Sequence, residues 1–125
     1  MFRLFIGAIA CVATCQLLTL PAHAQNAEAG RRVFTQICSN CHEVAPGRNR
    51  IGPSLFGVVG RKTGTLTDFR YSDANRRANI VWDQATLDRY LANPRGIIPG
   101  TAMTYNGLKD DPKRHDLIAY LATLH

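Results

Sequence analysis

The sequence predicts an all-α domain of three main helices and one short one, joined by long loops. Three stretches carry apolar residues at helical spacing behind a capping residue. No stretch alternates convincingly as a strand does. Some thirty residues after the first helix are broken by glycines and prolines. The chain has 125 residues, a net charge of +6, 46% hydrophobic and 19% charged residues, the balance of one folded domain. The length argues against a large multidomain enzyme, and the composition against a disordered tail.

Residues 1–24 read as a segment apart from the fold. Met1-Phe2-Arg3 opens an apolar run from Leu4 to Leu20, and Pro21-Ala22-His23-Ala24 closes it with a small-residue A-x-A site. This is the pattern of a secretory signal, expected to be cut after Ala24. An uncleaved membrane anchor is the alternative, since the run lies at the short end of a span. Lipidation at Cys11 or Cys15 fits poorly, because either cysteine would interrupt the apolar run. Arg3 leaves with the segment, so residues 25–125 form the expected domain with a charge of +5.

The first helix is expected over 26–38, with Asn26 as N-cap and Val33, Phe34 and Ile37 on one face. A short helical turn is expected near 73–78. The second main helix covers 83–93, opened by Asp83, with Leu87, Tyr90 and Leu91 on its stripe. The third runs over 112–124, where Asp111 caps, Pro112 takes the first helical position, and Leu117, Ile118, Leu121 and Leu124 form the stripe. Between the first helix and Ser72, the punctuation by Pro46-Gly47, Gly52-Pro53, Gly57, Gly60 and Gly64 leaves Ile51, Leu55, Phe56, Val58 and Val59 without a regular element to bury against. A loop of this length signals a functional wrap. A large apolar cofactor would cover those side chains and enlarge the core of a short chain.

Cys38-Ser39-Asn40-Cys41-His42 names that cofactor, because C-x-x-C-H is the signature of covalent haem attachment. Two thiols about one turn apart can each add to one vinyl group of the porphyrin, forming thioethers, and the adjacent imidazole is then held under the iron. Cysteines three apart cannot staple distant parts of a fold. A zinc site would need two further ligands, and residues 25–125 offer only His115 and His125, near the chain end. A redox dithiol would need a βαβ context, which is missing.

Haem iron in electron carriers commonly takes methionine opposite histidine, which raises the reduction potential. Met103 is the only methionine in residues 25–125 and lies in the turn Pro99-Gly100-Thr101-Ala102-Met103, so a loop can aim its side chain. A gap-filling core methionine is the plain alternative. His115, beside the core stripe of the third helix, is the competing ligand, although a solvated surface histidine suits that position. His125 has no assigned role.

At this point the chain resembles the class I, mitochondrial-type cytochromes c and their bacterial relatives. The resemblance covers nearly all of 25–125: the C-x-x-C-H motif, Gly52-Pro53 through Gly60-Arg61-Lys62-Thr63-Gly64, Tyr71-Ser72-Asp73-Ala74-Asn75, Trp82, Asn93-Pro94 through Pro99-Gly100-Thr101 to Met103, and Asp116-Leu117-Ile118-Ala119-Tyr120-Leu121. It implies the class I cytochrome c fold, wrapped around one haem c attached through Cys38 and Cys41. It implies iron ligation by His42 and Met103. Pro53 matches the proline whose carbonyl accepts the proton of the proximal histidine, an outer bond that fixes the ring. Tyr90 matches the tyrosine whose hydroxyl reaches the methionine sulfur. Arg61, Tyr71, Asn75, Trp82 and Thr101 match positions around a buried haem propionate, a carboxylate that must be paired and hydrogen-bonded once it leaves water. Gly30, Phe34 and Tyr120 match the crossing of the first and last helices.

The resemblance further implies a monomeric periplasmic one-electron shuttle rather than an enzyme. Its partners would be redox proteins with acidic docking surfaces, such as a membrane complex, an oxidase or a dehydrogenase of a respiratory or photosynthetic chain, met in transient contact. Arg50, Arg95 and Lys109 match the basic ring of the exposed haem edge. Ile37, Gly96 and Ala102 stand where the mitochondrial proteins usually carry lysine, and Asp110-Asp111 adds acid nearby, so the ring is thinned. Arg76-Arg77 alone would suggest nucleic acid, which an exported haem protein argues against. The rival function class is a haem enzyme or gas sensor with an open iron site, peroxidase-like.

Overall fold

The computed structural model describes residues 25–125; the expected signal segment, and with it the anchor and lipidation readings, lies outside the described residues. The described chain is all-helical, with one isolated bridge between Lys62 and Val81 and no strand among the described residues.

Helix α1 spans Ala27–Val33, and the Asn26 side chain accepts the Ala29 N–H at 3.0 Å. The continuous helix expected to Cys38 is instead divided: from Phe34 to Cys38 the coil widens into a π-helical turn, closed by the Ser39 N–H on the Phe34 carbonyl at 3.0 Å. Local hydroxyls supply the reason. Thr35 Oγ1 donates to the Arg31 carbonyl at 3.0 Å and Ser39 Oγ to the Thr35 carbonyl at 2.6 Å, competing with the backbone ladder.

Helix α2 covers Asp73–Arg77 behind the Ser72 cap, and α3 covers Gln84–Ala92, with Asp83 accepting the Thr86 N–H at 2.7 Å. Helix α4, Pro94–Ile97, follows at once, capped by Asn93. It had no counterpart in the expected elements, because four residues are too few to show a period. Helix α5 spans Asp111–Leu121. Its N-cap is Asp110, whose side chain accepts the Lys113 N–H at 3.0 Å, and not Asp111, which joins the helix and faces Arg114. Pro112 therefore takes the second helical position. Leu124 lies beyond the helix end, where its carbonyl accepts the Gly57 N–H at 2.6 Å.

Helix α1 crosses α5 in the most extensive helix pairing of the described chain. Gly30 is buried at the crossing, and the Phe34 and Tyr120 rings meet beside it with centroids 5.8 Å apart. The core joins Val33 and Phe34 to Leu87 and Leu91 of α3 and to Leu117, Ile118 and Leu121 of α5. The irregular stretch from 39 to 72 satisfies its backbone through distant partners. The Gly60 N–H reaches the Trp82 carbonyl at 2.8 Å, the Trp82 N–H reaches Arg61 at 2.9 Å, and the Thr63 N–H reaches Ile80 at 2.8 Å.

The caps give an acid-sensitivity prediction. The backbone N–H of Lys113 holds the Asp110 carboxyl below the usual aspartate range. A carboxyl with a depressed folded pKa stabilises the fold above its unfolded pKa and loses that effect as pH falls through the folded value. Asp110→Asn keeps a capping oxygen but no titrating group. It is expected to melt slightly lower than the parent at neutral pH and to lose less on acidification, as thermal unfolding at neutral and strongly acidic pH would show.

Candidate haem site

The π turn of α1 delivers Cys38, and a tight turn then presents Cys41 and His42. The N–H groups of Cys41 and His42 both donate to the Cys38 carbonyl, at 3.1 and 3.0 Å. Neither cysteine is in a disulfide, and both are partly buried.

His42 Nδ1 lies 2.8 Å from the Pro53 carbonyl oxygen. A carbonyl only accepts, so the proton sits on Nδ1 and the lone pair of Nε2 is free for a metal. Burial lowers the imidazole pKa, the Pro53 bond works against it, and Arg61 lowers it further. Gly52 explains the ring's position: a Cβ there would stand 2.2 Å from His42 Cε1. The Gly52 N–H in turn donates to the Cys41 carbonyl at 2.8 Å, closing the loop onto the motif.

A second cluster forms around Met103. The Tyr90 hydroxyl lies 3.7 Å from Met103 Sδ and 3.3 Å from Thr101 Oγ1. Thr101 Oγ1 donates to Asn75 Oδ1 at 3.1 Å and accepts the Met103 N–H at 3.3 Å. With the threonine proton committed to Asn75, the single tyrosine proton is divided between sulfur and hydroxyl. Ser72 Oγ also donates to Asn75 Oδ1, at 2.8 Å. Burial raises the Tyr90 pKa, so its proton stays in place across neutral pH. Trp82 stacks obliquely on Tyr90 with centroids 4.6 Å apart.

The structure thus joins Asn75, Trp82, Tyr90, Thr101 and Met103 in one group, to which no side-chain hydrogen bond among the described residues links Arg61 or Tyr71. Arg61 Nη2 donates to the Ser54 carbonyl at 2.9 Å and Nη1 to Phe56 at 3.3 Å, and Trp82 reaches Arg61 through the backbone alone. The Tyr71 ring meets Phe69 edge-on at 4.9 Å. His115 stands on α5 beside Asp88, with Nε2 3.3 Å from its carboxylate.

Two features were not singled out from the sequence. Ser54, only 2% exposed, ties the loop together: its hydroxyl donates to the Ala45 carbonyl at 2.7 Å and its N–H to Asn49 Oδ1 at 2.8 Å. Arg114 is a buried cation on α5. Periodicity marks apolar stripes, and a buried polar residue inside a loop or on the edge of a stripe leaves no such trace. Of the candidate docking cations, Arg50 donates to the Ser39 carbonyl at 2.8 Å and faces Glu43 at 3.6 Å, and Lys109 bonds to the Ala92 carbonyl. Arg95 is exposed and pairs with no other described residue. Asp73 pairs with both Arg76 and Arg77.

A haem fits these residues by donor chemistry and by shape. A pair of neighbouring thiols, an imidazole with its outer nitrogen committed, and a tethered thioether sulfur are the donors required. Ile37, Val44, Leu55, Val59, Ile80, Ile97 and Tyr105 are half-buried apolar residues packed on the core, the kind of surface an apolar macrocycle would cover.

An all-helical domain with this motif, and a proton-directed imidazole beside it, belongs to the covalent haem proteins. The profile of the cytochrome c family matches residues 27–125, and the chain belongs to that family. It is 46% identical over 102 residues to cytochrome c2 of Blastochloris viridis, covering 81% of this chain and 80% of that protein. To cytochrome c2 of Rhodopila globiformis it is 48% identical over 95 residues, 76% of this chain and 90% of the relative. The structure superposes on cytochrome cH from Methylobacterium extorquens with a TM-score of 0.74 at 41% identity, over 78% of this chain and 98% of the other. The fold is therefore the class I cytochrome c fold, and the chain carries one haem c bound through Cys38 and Cys41. It is an electron-transfer protein rather than an enzyme.

Proposed function

We propose that this protein is a periplasmic one-electron carrier whose haem iron is held between His42 and Met103. The supporting observation is the tether on the sole methionine of residues 25–125: its sulfur lies 3.7 Å from the Tyr90 hydroxyl, and Thr101 fixes its N–H. When bound, the haem supplies a ferric–ferrous couple. The chain's residues keep that couple to electron transfer. Pro53 orients the imidazole, Gly52 lets the ring lie close to the backbone, and Tyr90 aims the sulfur. Two protein ligands leave no position for oxygen or a substrate, and a shell fixed by hydrogen bonds on both sides requires little rearrangement on each electron passage.

The signal pattern of residues 1–24 supports export to the periplasm, with 25–125 as the working domain. The partners are redox proteins with acidic docking faces, in a respiratory or photosynthetic chain. Arg95 is the candidate docking cation with its charge unshared; Arg50 and Lys109 are tied to nearby acceptors, so steering is modest. Asp73 pairs with both Arg76 and Arg77, which offsets part of the charge of that doublet and weakens the nucleic-acid reading.

The rival reading, an open-site haem enzyme or gas sensor, differs in one optical test. The ferric carrier is expected to show the near-infrared sulfur-to-iron charge-transfer band, and the ferrous carrier to resist carbon monoxide. A protein that lacks the band at neutral pH and takes up carbon monoxide readily belongs to the rival class.

A further inference from the structure

Met103 stands at the start of a segment, 103–110, that has no helix or strand to hold it. Upstream, Thr101 and Tyr90 grip the methionine. Downstream, Thr104, Tyr105 and Asn106 make no hydrogen bond with any other described residue. The next fixed point is Leu108, which is buried and held from two sides. Its N–H donates to the Leu91 carbonyl at the end of α3, at 2.8 Å, and its carbonyl accepts from Arg114 Nη1 at 2.9 Å. Gly107 lies so close to α3 that a Cβ would fall 2.2 Å from the Ala92 carbonyl oxygen.

Arg114 is 6% exposed, and each part of its guanidinium has an acceptor. Nε meets Asp88 at 2.6 Å and Nη2 meets Asp111 at 2.9 Å, so two carboxylates neutralise the charge and leave Nη1 aimed at Leu108. A bond from a cation to a carbonyl is stronger than a neutral one, and breaking it leaves a donor that has little surface of its own exposed to water. The ion pairs with Asp88 and Asp111 join α5 to α3 and to its own first turn. The bond to Leu108 alone reaches the methionine segment.

We propose that Arg114 is a positioning residue for Met103: by clamping Leu108 against α3 and α5, it opposes the outward swing of the segment that would carry the sulfur off the iron. Only four residues separate Met103 from Leu108. A fixed Leu108 therefore restrains the downstream end of the segment that carries the methionine. This inference rests on the ligand reading of Met103.

The test uses the haem-loaded protein and imidazole as a competing ligand, whose binding to the ferric iron requires the methionine to leave. Arg114→Met is expected to bind imidazole about tenfold more tightly, with a smaller gain in Arg114→Lys. Asp111→Asn, which removes an exposed charge but keeps an oxygen that can accept from Nη2 and so spares the Leu108 bond, is expected to match the parent. In the parent, saturating imidazole is expected to speed hydrogen exchange at the Leu108 amide while Leu117 in α5 keeps its protection. This measurement stands even if Arg114→Met does not fold. Absence of the sulfur-to-iron band in the parent overturns the ligand reading, and the inference with it. A band present, with parent and Arg114→Met binding imidazole equally, or with Leu108 protection unaltered by imidazole, overturns the Arg114 inference alone.

Discussion

Met103→Ala is expected to abolish the near-infrared band, let the ferrous protein bind carbon monoxide, and lower the reduction potential by about 0.2 V, a fraction of the range that axial ligation spans. Thioether sulfur favours the ferrous state, so its loss moves the potential down. The fold should survive, because alanine keeps the N–H that donates to Thr101 Oγ1 and the bond between Thr101 and Asn75 is untouched. The Tyr90 hydroxyl would lose its sulfur contact and keep a proton that a bound haem with an open position could use. Weak peroxidase activity absent from the parent is the expected consequence. Potentiometric titration and a peroxidase assay check both effects; an unchanged potential assigns the sixth ligand elsewhere.

The parts of this molecule legible in the sequence are those whose physics is local. Cysteines and histidine at fixed spacing specify a covalent cofactor by reactivity alone, and the stripe Leu87, Tyr90 and Leu91 marks α3 because burial selects the residues one turn apart. Met103 stood out because no other methionine remained after Ala24. What escaped depends on competition between near-equal alternatives or on distant partners. Asp110 and Asp111 are both good caps, and the choice between them is settled by Arg114, which draws Asp111 into the helix. The widening of α1 at Phe34 follows from hydroxyls at Thr35 and Ser39 that an apolar pattern does not register. The grouping of Asn75 with Thr101, 26 positions apart, came from the family resemblance, since no local rule pairs them.

Gly30→Ala is expected to be the most damaging single methyl group added to the helices. Helix propensity argues the other way, favouring alanine over glycine by roughly 0.5–1 kcal/mol inside a helix. The crossing outweighs it. A Cβ on residue 30 would lie 1.9 Å from the Asp116 carbonyl oxygen, 2.5 Å from its carbon and 2.9 Å from Tyr120 Cβ. The first two are backbone atoms of α5, so no rotamer change relieves the overlap, and α1 must lift away. Lifting it stretches the bond from the Asn26 N–H to Asp116 Oδ1, 2.8 Å in the parent, and parts the Phe34 and Tyr120 rings. Overpacking of this kind costs about 1–3 kcal/mol and more where backbone is struck. A net loss of about 2–3 kcal/mol lowers the melting midpoint of a domain this size by roughly 10–20 °C. Because α1 leads directly into the π turn that ends at Cys38, its displacement also moves one haem-binding thiol relative to His42. The haem-loaded variant should therefore show a weakened near-infrared band at temperatures where it is still folded, seen by following absorbance and circular dichroism together during heating. A melting midpoint equal to the parent's would mean that α1 and α5 can separate without penalty.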